Sequence, residues 1–170
     1  MQAQTVSSSM LKEADIFKSL NDNQLKKLAA IADTEEYPAG KVLFKKGDTA
    51  SRFYIVDQGR ALLQTEVDIG PDRAPLLLDL TTVAAKQSLG WSVFAAPFKY
   101  TTNCRCIENT RMVSFNADKL KALLDRDPEL GYEVLKGIIV ILASRLNNAR
   151  QLLMDEQVMA RFKAKGETLL

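Results

Sequence analysis

Hydrophobic residues change their spacing twice along the chain, and the first segment has a helical repeat. Within residues 11–33 apolar positions such as Leu25 and Leu28 recur at three- and four-residue steps, which is typical of amphipathic helices. The polar residues 21–23 interrupt this repeat as a capping cluster. The pattern predicts two short helices within 11–33, preceded by a flexible polar tail at 1–10.

A different pattern occupies residues 37–115, where short apolar runs are separated by turn residues. Residues 53–56 are followed by Gly59 and then by residues 61–63, which predicts a hairpin with Gly59 at positive φ. Many short strands at this spacing, with no helices between them, favour a sandwich or a barrel over a parallel sheet.

Helical spacing returns after residue 115 and continues towards the end of the chain. Asn116 is suited to cap a helix, and Asp127 followed by Pro128 is a second helix start. The apolar run 138–142 keeps a helical period on both flanks, so we predict a long helix to about Phe162 with a break near Gly137.

Composition narrows the function classes. The 170 residues are 46% hydrophobic and 26% charged, as in an ordinary globular domain, and they include no histidine. Serine–histidine triads, histidine-ligated metals and imidazole bases are therefore excluded, and we expect no enzyme activity. Cys104 and Cys106 cannot complete a four-ligand zinc site, so we expect no metal and two small buried side chains.

The net charge of the chain and the length of its longest apolar run indicate which partners and which location to expect. The net charge of +2 predicts no nucleic-acid or membrane partner, and the run 138–143 is too short to cross a bilayer. The first ten residues lack the features of a signal peptide. We therefore expect a cytoplasmic protein. Arg161, Lys163 and Lys165 are expected to form a solvated helix end, and no DNA-binding domain is expected in this chain.

Several motifs now point to a family. The run Tyr37-Pro-Ala-Gly, the pair Gly47-Asp48, the run Phe53-Tyr-Ile-Val and Gly59 resemble the opening strands of a cyclic-nucleotide-binding domain of the Crp/Fnr (catabolite activator) superfamily. The resemblance runs from about residue 14 to residue 153.

The resemblance implies an α+β fold built on an antiparallel β-roll, the double-stranded β-helix or jelly-roll type. N-terminal helices and a long C-terminal dimerisation helix would flank the roll. The domain then occupies 11–153, with helices in 11–33, the β-roll in 37–115 and helices in 116–153. Residues 154–170 form the end of the last helix and a tail.

The phosphate-binding cassette of that family is altered here. The family pattern is Gly-Glu, a short insertion, then Arg-(Ser/Thr)-Ala, in which the Glu accepts from the ribose hydroxyl and the Arg pairs with the cyclic phosphate. In this chain Trp91 stands in place of the Glu and Tyr100 in place of the Arg, while Gly90 and Thr101 match. The preceding stretch Ala84-Ala85-Lys86 also lacks the Gly that commonly introduces this strand in the family. By position, the candidate ligand-binding residues are Gly90, Trp91, Ser92, Lys99, Tyr100, Thr101, Thr102 and, on the last helix, Arg150.

Loss of the arginine weakens the expected affinity for cyclic AMP and cyclic GMP, the ligands that the resemblance implies. An arginine–phosphate pair contributes on the order of 3–5 kcal/mol, or about 10²–10⁴ in affinity. Lys99 would substitute if it shares a strand face with Thr101. Trp91 and Tyr100 either line a pocket for a planar ligand or fill it, and the sequence leaves both open.

The last helix carries a second signal. A 3-4-3-4 apolar spacing is typical of a coiled-coil seam, and the family uses this helix for a parallel homodimer whose residues, here 148–150, close over the ligand. A monomer whose helix packs only on its own roll is the alternative. The predicted seam consists of Ile139, Leu142, Leu146, Ala149 and Leu153.

Together these features predict a non-catalytic regulatory module. A small ligand, such as a nucleotide, would bind in the β-roll and act through the C-terminal helix dimer. Two alternatives remain: a ligand-free interaction or scaffold domain with an aromatic-filled pocket and a protein partner, or a transcription regulator without its helix-turn-helix domain.

Overall fold

Two four-stranded antiparallel sheets face each other, with helices packed against one of them. This computed structural model describes residues 6–71 and 73–165. The helices are α1 (Ser8–Lys12), α2 (Asp22–Ala29), α3 (Ala117–Arg126) and α4 (Pro128–Lys165). The strands are β1 (Ala32–Tyr37), β2 (Val42–Phe44), β3 (Arg52–Gln58), β4 (Ala61–Val67), β5 (Leu76–Val83), β6 (Ser88–Leu89), β7 (Asn103–Cys106) and β8 (Thr110–Asn116).

The strand order confirms the predicted β-roll. One sheet has the order β1-β8-β3-β6 and the other β2-β7-β4-β5. The turn expected at Gly59 is present, with φ +86°, but the predicted hairpin is wrong. Strand β3 pairs with β6 and β8, whereas β4 pairs with β5 and β7 of the other sheet, so Gly59 turns the chain from one sheet to the other. The chain crosses between the sheets repeatedly, so the short apolar runs of 37–115 become alternate strands of two layers.

Strand β3 is buried on both faces because it separates two apolar layers. On its outer face Phe53 contacts Phe115, and Phe115 meets Phe17 edge-on with 5.9 Å between ring centroids. On its inner face Tyr54 stacks with Phe44 of the opposite sheet at 6.4 Å. Alternation along β3 thus directs successive side chains to the helices and to the interior of the roll.

The N-terminal region differs from the expected tail and helices. Val6 is buried and the Ser7 hydroxyl caps α1 by accepting from the Met10 N–H, so residues 6–10 pack against the domain; residues 1–5 lie outside the described residues. Residues 32–37 form strand β1, not the end of a helix. Strand β1 is rich in charged residues, so its local preference for a strand is weak. An ion pair between Glu35 of β1 and Arg52 of β3, 2.5 Å apart, stabilises it instead.

Both predicted helix starts after the roll are confirmed. The Asn116 side chain accepts from the N–H groups of Asp118 and Lys119. The Asp127 carboxylate accepts from the Leu130 N–H, and the ring of Pro128 begins α4. These caps satisfy N–H groups that have no partner within the helix.

Helix α4 continues without a break through Gly137, in contrast to the predicted interruption. A β-carbon added to Gly137 would lie 2.2 Å from the Ile16 carbonyl oxygen. The glycine therefore permits α4 to cross directly over the backbone of the N-terminal segment. The predicted solvated helix end depends on side chains that the structure does not describe: Arg161, Lys163 and Lys165.

The Gly137→Ala variant tests this crossing, because a close crossing and an unobstructed helix predict opposite changes in the free energy of unfolding. Ala favours a helix by ~1 kcal/mol over Gly, so an unobstructed helix would be stabilised. We expect instead a loss of about 1–3 kcal/mol in the free energy of unfolding, because the new methyl overlaps the Ile16 carbonyl. Urea unfolding of Gly137→Ala measures it. The exposed Ala143→Gly variant is the control for propensity alone, and a more stable Gly137→Ala protein would contradict the close crossing.

Candidate functional site

The cassette begins at a glycine that no other residue can replace without strain. Gly90 is buried with φ +87°, and a β-carbon there would lie 2.8 Å from the Arg52 carbonyl oxygen. A single 3₁₀ turn, Trp91–Phe94, follows it, with Ser92 half-buried. The positive φ at Gly90 turns the chain out of β6, so that Trp91 faces the helices.

Lys99, Thr101 and Thr102 do not lie in a strand, so the strand face that Lys99 was to share with Thr101 is absent. Strand β7 begins at Asn103, and Lys99 makes only an isolated bridge with Thr49. Lys99 and Thr101 are exposed and Thr102 is half-buried. Strand alternation therefore gives no reason for Lys99 to share a face with Thr101.

Tyr100 fills space between the two sheets. Its ring is buried and stacks on Phe44 with centroids 3.8 Å apart. Its hydroxyl donates to the Arg52 carbonyl at 2.8 Å and accepts from the Arg52 N–H at 3.1 Å. Burial raises the pKa of the Tyr100 hydroxyl, which keeps it neutral as a donor. At the place where the family has its arginine, this chain has a packed, internally hydrogen-bonded ring.

Trp91 instead meets helix α4. Its indole lies edge-on to Phe53 with centroids 6.2 Å apart. The Arg145 guanidinium carbon is 5.1 Å from the centre of the indole ring, and the same guanidinium donates to the Ser88 carbonyl at 3.0 Å. Helix α4 thus contacts the cassette through Arg145, whereas Arg150 is exposed.

Assigning site residues by their position in the family motif missed Arg145, although the sequence contains a signal for it. Val134 and Ile138 are buried and Ile141 is partly buried against the core. Arg145 continues this 4-3-4 spacing towards the roll. A charged residue on the buried stripe of a helix is a candidate for a specific contact.

Three unpartnered polar atoms surround Arg145. The Asp15 Oδ1, the Ser88 hydroxyl and the Trp91 indole nitrogen are buried without a hydrogen-bond partner. The other Asp15 oxygen accepts from the Ser88 N–H at 3.3 Å. Burial lowers the pKa of Arg145, while the nearby negative charge of Asp15 opposes that shift. This polar cluster is unusual because buried polar groups are normally paired.

Lys86 fixes the position of Asp15. Its backbone has φ +70°, within the stretch 84–86 that lacks the family's Gly, and its carbonyl accepts from the Asp15 N–H at 2.8 Å. Its ammonium group pairs with Glu13 at 2.8 Å and with Asp57 at 3.5 Å. These ion pairs hold a conformation that a side chain otherwise disfavours.

A cleft of about 850 Å³ opens beside this polar cluster, between α4, β5 and the N-terminal segment. Asp15, Lys18 and Arg145 contribute its charges. Apolar walls come from β5 and α4, including Leu80, Val140 and Leu153. Of the helix residues expected to close over a ligand, Asn148 and Ala149 line the cleft and Arg150 does not.

The two cysteines are buried, as predicted. Cys104 and Cys106 are free thiols, and burial raises the pKa of Cys104 to about 12. Thiols with raised pKa are poor nucleophiles and poor ligands. Within residues 6–71 and 73–165, no group of three or more His, Cys, Asp or Glu side chains is arranged to hold a metal ion.

Comparison with known proteins agrees with the fold. Residues 34–127 match the model of the cyclic nucleotide-binding domain family. The chain is 23% identical over 146 residues to the CRP-like cAMP-activated global transcriptional regulator of Mycobacterium tuberculosis, covering 86% of this chain and 61% of that protein. It therefore spans less than two thirds of that relative.

Solved structures show the same architecture. A cyclic nucleotide-binding domain from Methylobacillus flagellatus superposes with a TM-score of 0.77 at 15% identity, over 91% of this chain and 88% of that one. The Thermus thermophilus catabolite activator protein gives 0.68 at 20% identity, over 85% and 63%. The chain belongs to the cyclic nucleotide-binding domain family.

None of the helices that the structure describes is long and apolar enough to span a bilayer.

Proposed function

We propose that this domain is a non-catalytic sensor that binds a small ligand in the cleft between the roll and α4. The contact of Arg145 with Ser88 and Trp91 carries this proposal. It joins the cassette directly to the last helix at the edge of the cleft. None of the predicted cassette residues lines the cleft, so a ligand there acts on the cassette through Arg145. It shifts the position of α4 by as much as its affinities for the two arrangements differ.

Blocking the cleft tests this proposal. Ser144 lies on α4 and lines the cleft, whereas Asn147 is exposed on the same helix and does not. We expect mass spectrometry of protein purified under native conditions to find a small molecule bound to the wild type. Ser144→Trp should lose it because the indole occupies the cleft, and Asn147→Trp should keep it. Equal retention by both variants would place the ligand elsewhere.

Cyclic AMP and cyclic GMP are expected to bind weakly. Tyr100 supplies no positive charge and its ring occupies the space between Phe44 and the Arg52 backbone. From a generic micromolar affinity, a loss of about 3–5 kcal/mol gives a dissociation constant of roughly 0.1–10 mM. Titration calorimetry measures it. A value below ~10 μM for either nucleotide would show that another group replaces the arginine, and Lys99→Ala would then test the exposed lysine.

Helix α4 is proposed to pair with a second copy of the chain. Ile139, Leu146 and Leu153 of the predicted seam are 63%, 70% and 61% exposed, and Leu142 and Ala149 are also exposed. The apolar surface continues across the cleft onto edge strand β5, where four leucines are exposed: Leu76, Leu77, Leu78 and Leu80. Surface of this kind is typical of an interface.

Charge in the seam should separate the copies. We expect Leu142→Lys combined with Leu146→Lys to give a monomer in sedimentation velocity, because buried ammonium groups have no partner there. The control, Ala143→Lys with Asn147→Lys, adds the same charge one position along at exposed residues and should remain a dimer. An unchanged dimer in the seam variant would refute the pairing along α4.

A ligand-free scaffold is the second candidate function. The stacked Phe44, Tyr54 and Tyr100 favour it, since they occupy the interior of the roll. A wild-type protein that carries no small molecule, while still forming the α4 dimer, would support this function over a sensor.

A further inference from the structure

We propose that the cleft binds an organic anion, an apolar body that carries a carboxylate or phosphate group, and that Arg145 of α4 binds the anionic group. This inference rests on the proposed function and names the ligand class of the same site. It places the positive charge that recognises the ligand on the helix, not in the cassette.

Arg145 is a partly desolvated cation without an ion pair. In the part of the chain that the structure describes, no carboxylate lies within 4.0 Å of its guanidinium. The described hydrogen bonds use its Nη2 towards the Ser88 carbonyl. A guanidinium has five N–H donors in a planar fork that matches carboxylate and phosphate oxygens. Arg145 therefore keeps donors and charge available for an anion.

The neighbouring unpartnered atoms include two further donors. The Trp91 indole N–H is buried without an acceptor, and the fully buried Ser88 hydroxyl also lacks a partner. Both belong to the segment that Arg145 contacts. An indole nitrogen is only a donor, and a hydroxyl donates one proton. Neither Ser88 nor Trp91 lines the cleft, so of these three residues only Arg145 presents donors to a ligand there, and that ligand must bring acceptor oxygens.

Asp15 limits which anions fit. Its Oδ1 has no donor, and its charge partly offsets Arg145, while Lys18 adds a second positive charge to the cleft. The two cations exceed the one anion, so the cleft favours a negative ligand. A hydroxyl or ammonium group beside the ligand's anionic group would donate to the free Asp15 oxygen.

The remainder of the cleft suits an apolar body. Leu80 of β5 faces Val140 and Leu153 of α4 across a volume of about 850 Å³. Such a volume is within the usual range of small-molecule sites, which combine apolar walls with few polar groups. The anionic group would be bound at Arg145 and the apolar part would lie between β5 and α4.

The chain contains a built-in reporter for the test, because Trp91 is its one tryptophan. We would titrate the wild type with phenylacetate, phenyl phosphate and neutral 2-phenylethanol, following Trp91 fluorescence and calorimetry. We expect saturable binding of at least one anion, at least tenfold tighter than the alcohol. The two anions distinguish carboxylate from phosphate recognition.

Variants then assign the charge. Arg145→Gln should weaken anion binding at least tenfold and leave the alcohol unchanged, whereas Arg145→Lys should lose less. The control is Lys136→Gln, which removes an exposed cation of α4 that pairs with Glu133 and should bind as the wild type does. Circular dichroism checks that each variant is folded.

The outcomes separate this inference from the proposed function. If the wild type binds the anions and the alcohol equally well, the anion inference is overturned, but the cleft remains a small-molecule site. This comparison uses only the wild type, so it holds even if Arg145→Gln does not fold. Equal losses in Arg145→Gln and Lys136→Gln would overturn the assignment to Arg145. If neither anion binds at about 10 mM, which corresponds to very weak affinity, the anion inference is overturned. The Ser144→Trp experiment would then still test whether the cleft binds a small molecule.

Discussion

The close crossing of α4 over the N-terminal segment positions everything else at the site. At Gly137 the helix lies against the Ile16 carbonyl with no room for a β-carbon. Two turns further on, this approach brings Arg145 to Ser88 and Trp91. The same crossing places Asp15, next to Ile16, at the edge of the cleft. A wider crossing would separate the helix from the cassette.

Local patterns predicted the turn at Gly59 and the helix starts at Asn116 and Asp127, because each depends on turn and cap chemistry within a few residues. The hairpin was wrong because the partners of β3 and β4 lie in different sheets, which a local pattern does not show. Strand β1 was missed because its charged side chains are stabilised by partners such as Arg52, which is distant in sequence. The helix is uninterrupted at Gly137, where it contacts the Ile16 backbone, which is distant in sequence. Helix propensity alone predicted a break there because Gly disfavours a helix.

The candidate site was only partly accessible from the sequence. The replacements at Trp91 and Tyr100 were evident from the motif, but the motif does not show that Tyr100 points into the roll and Trp91 towards α4. Arg145 required knowing which helix face meets the roll, which depends on the crossing angle and depth. The strand face that Lys99 was to share with Thr101 does not exist, because β7 begins only at Asn103, where the backbone first pairs with β4.

The double hydrogen bond of the Tyr100 hydroxyl with the Arg52 backbone sets what it would cost to graft the family cassette onto this chain. Changing Tyr100 to Arg alone would bury a guanidinium beside Phe44 and remove the acceptor of the Arg52 N–H. Changing Trp91 to Glu alone would remove the ring beneath Arg145. Each graft therefore needs a compensating change in its surroundings, around Phe44 for the arginine and at Arg145 for the glutamate.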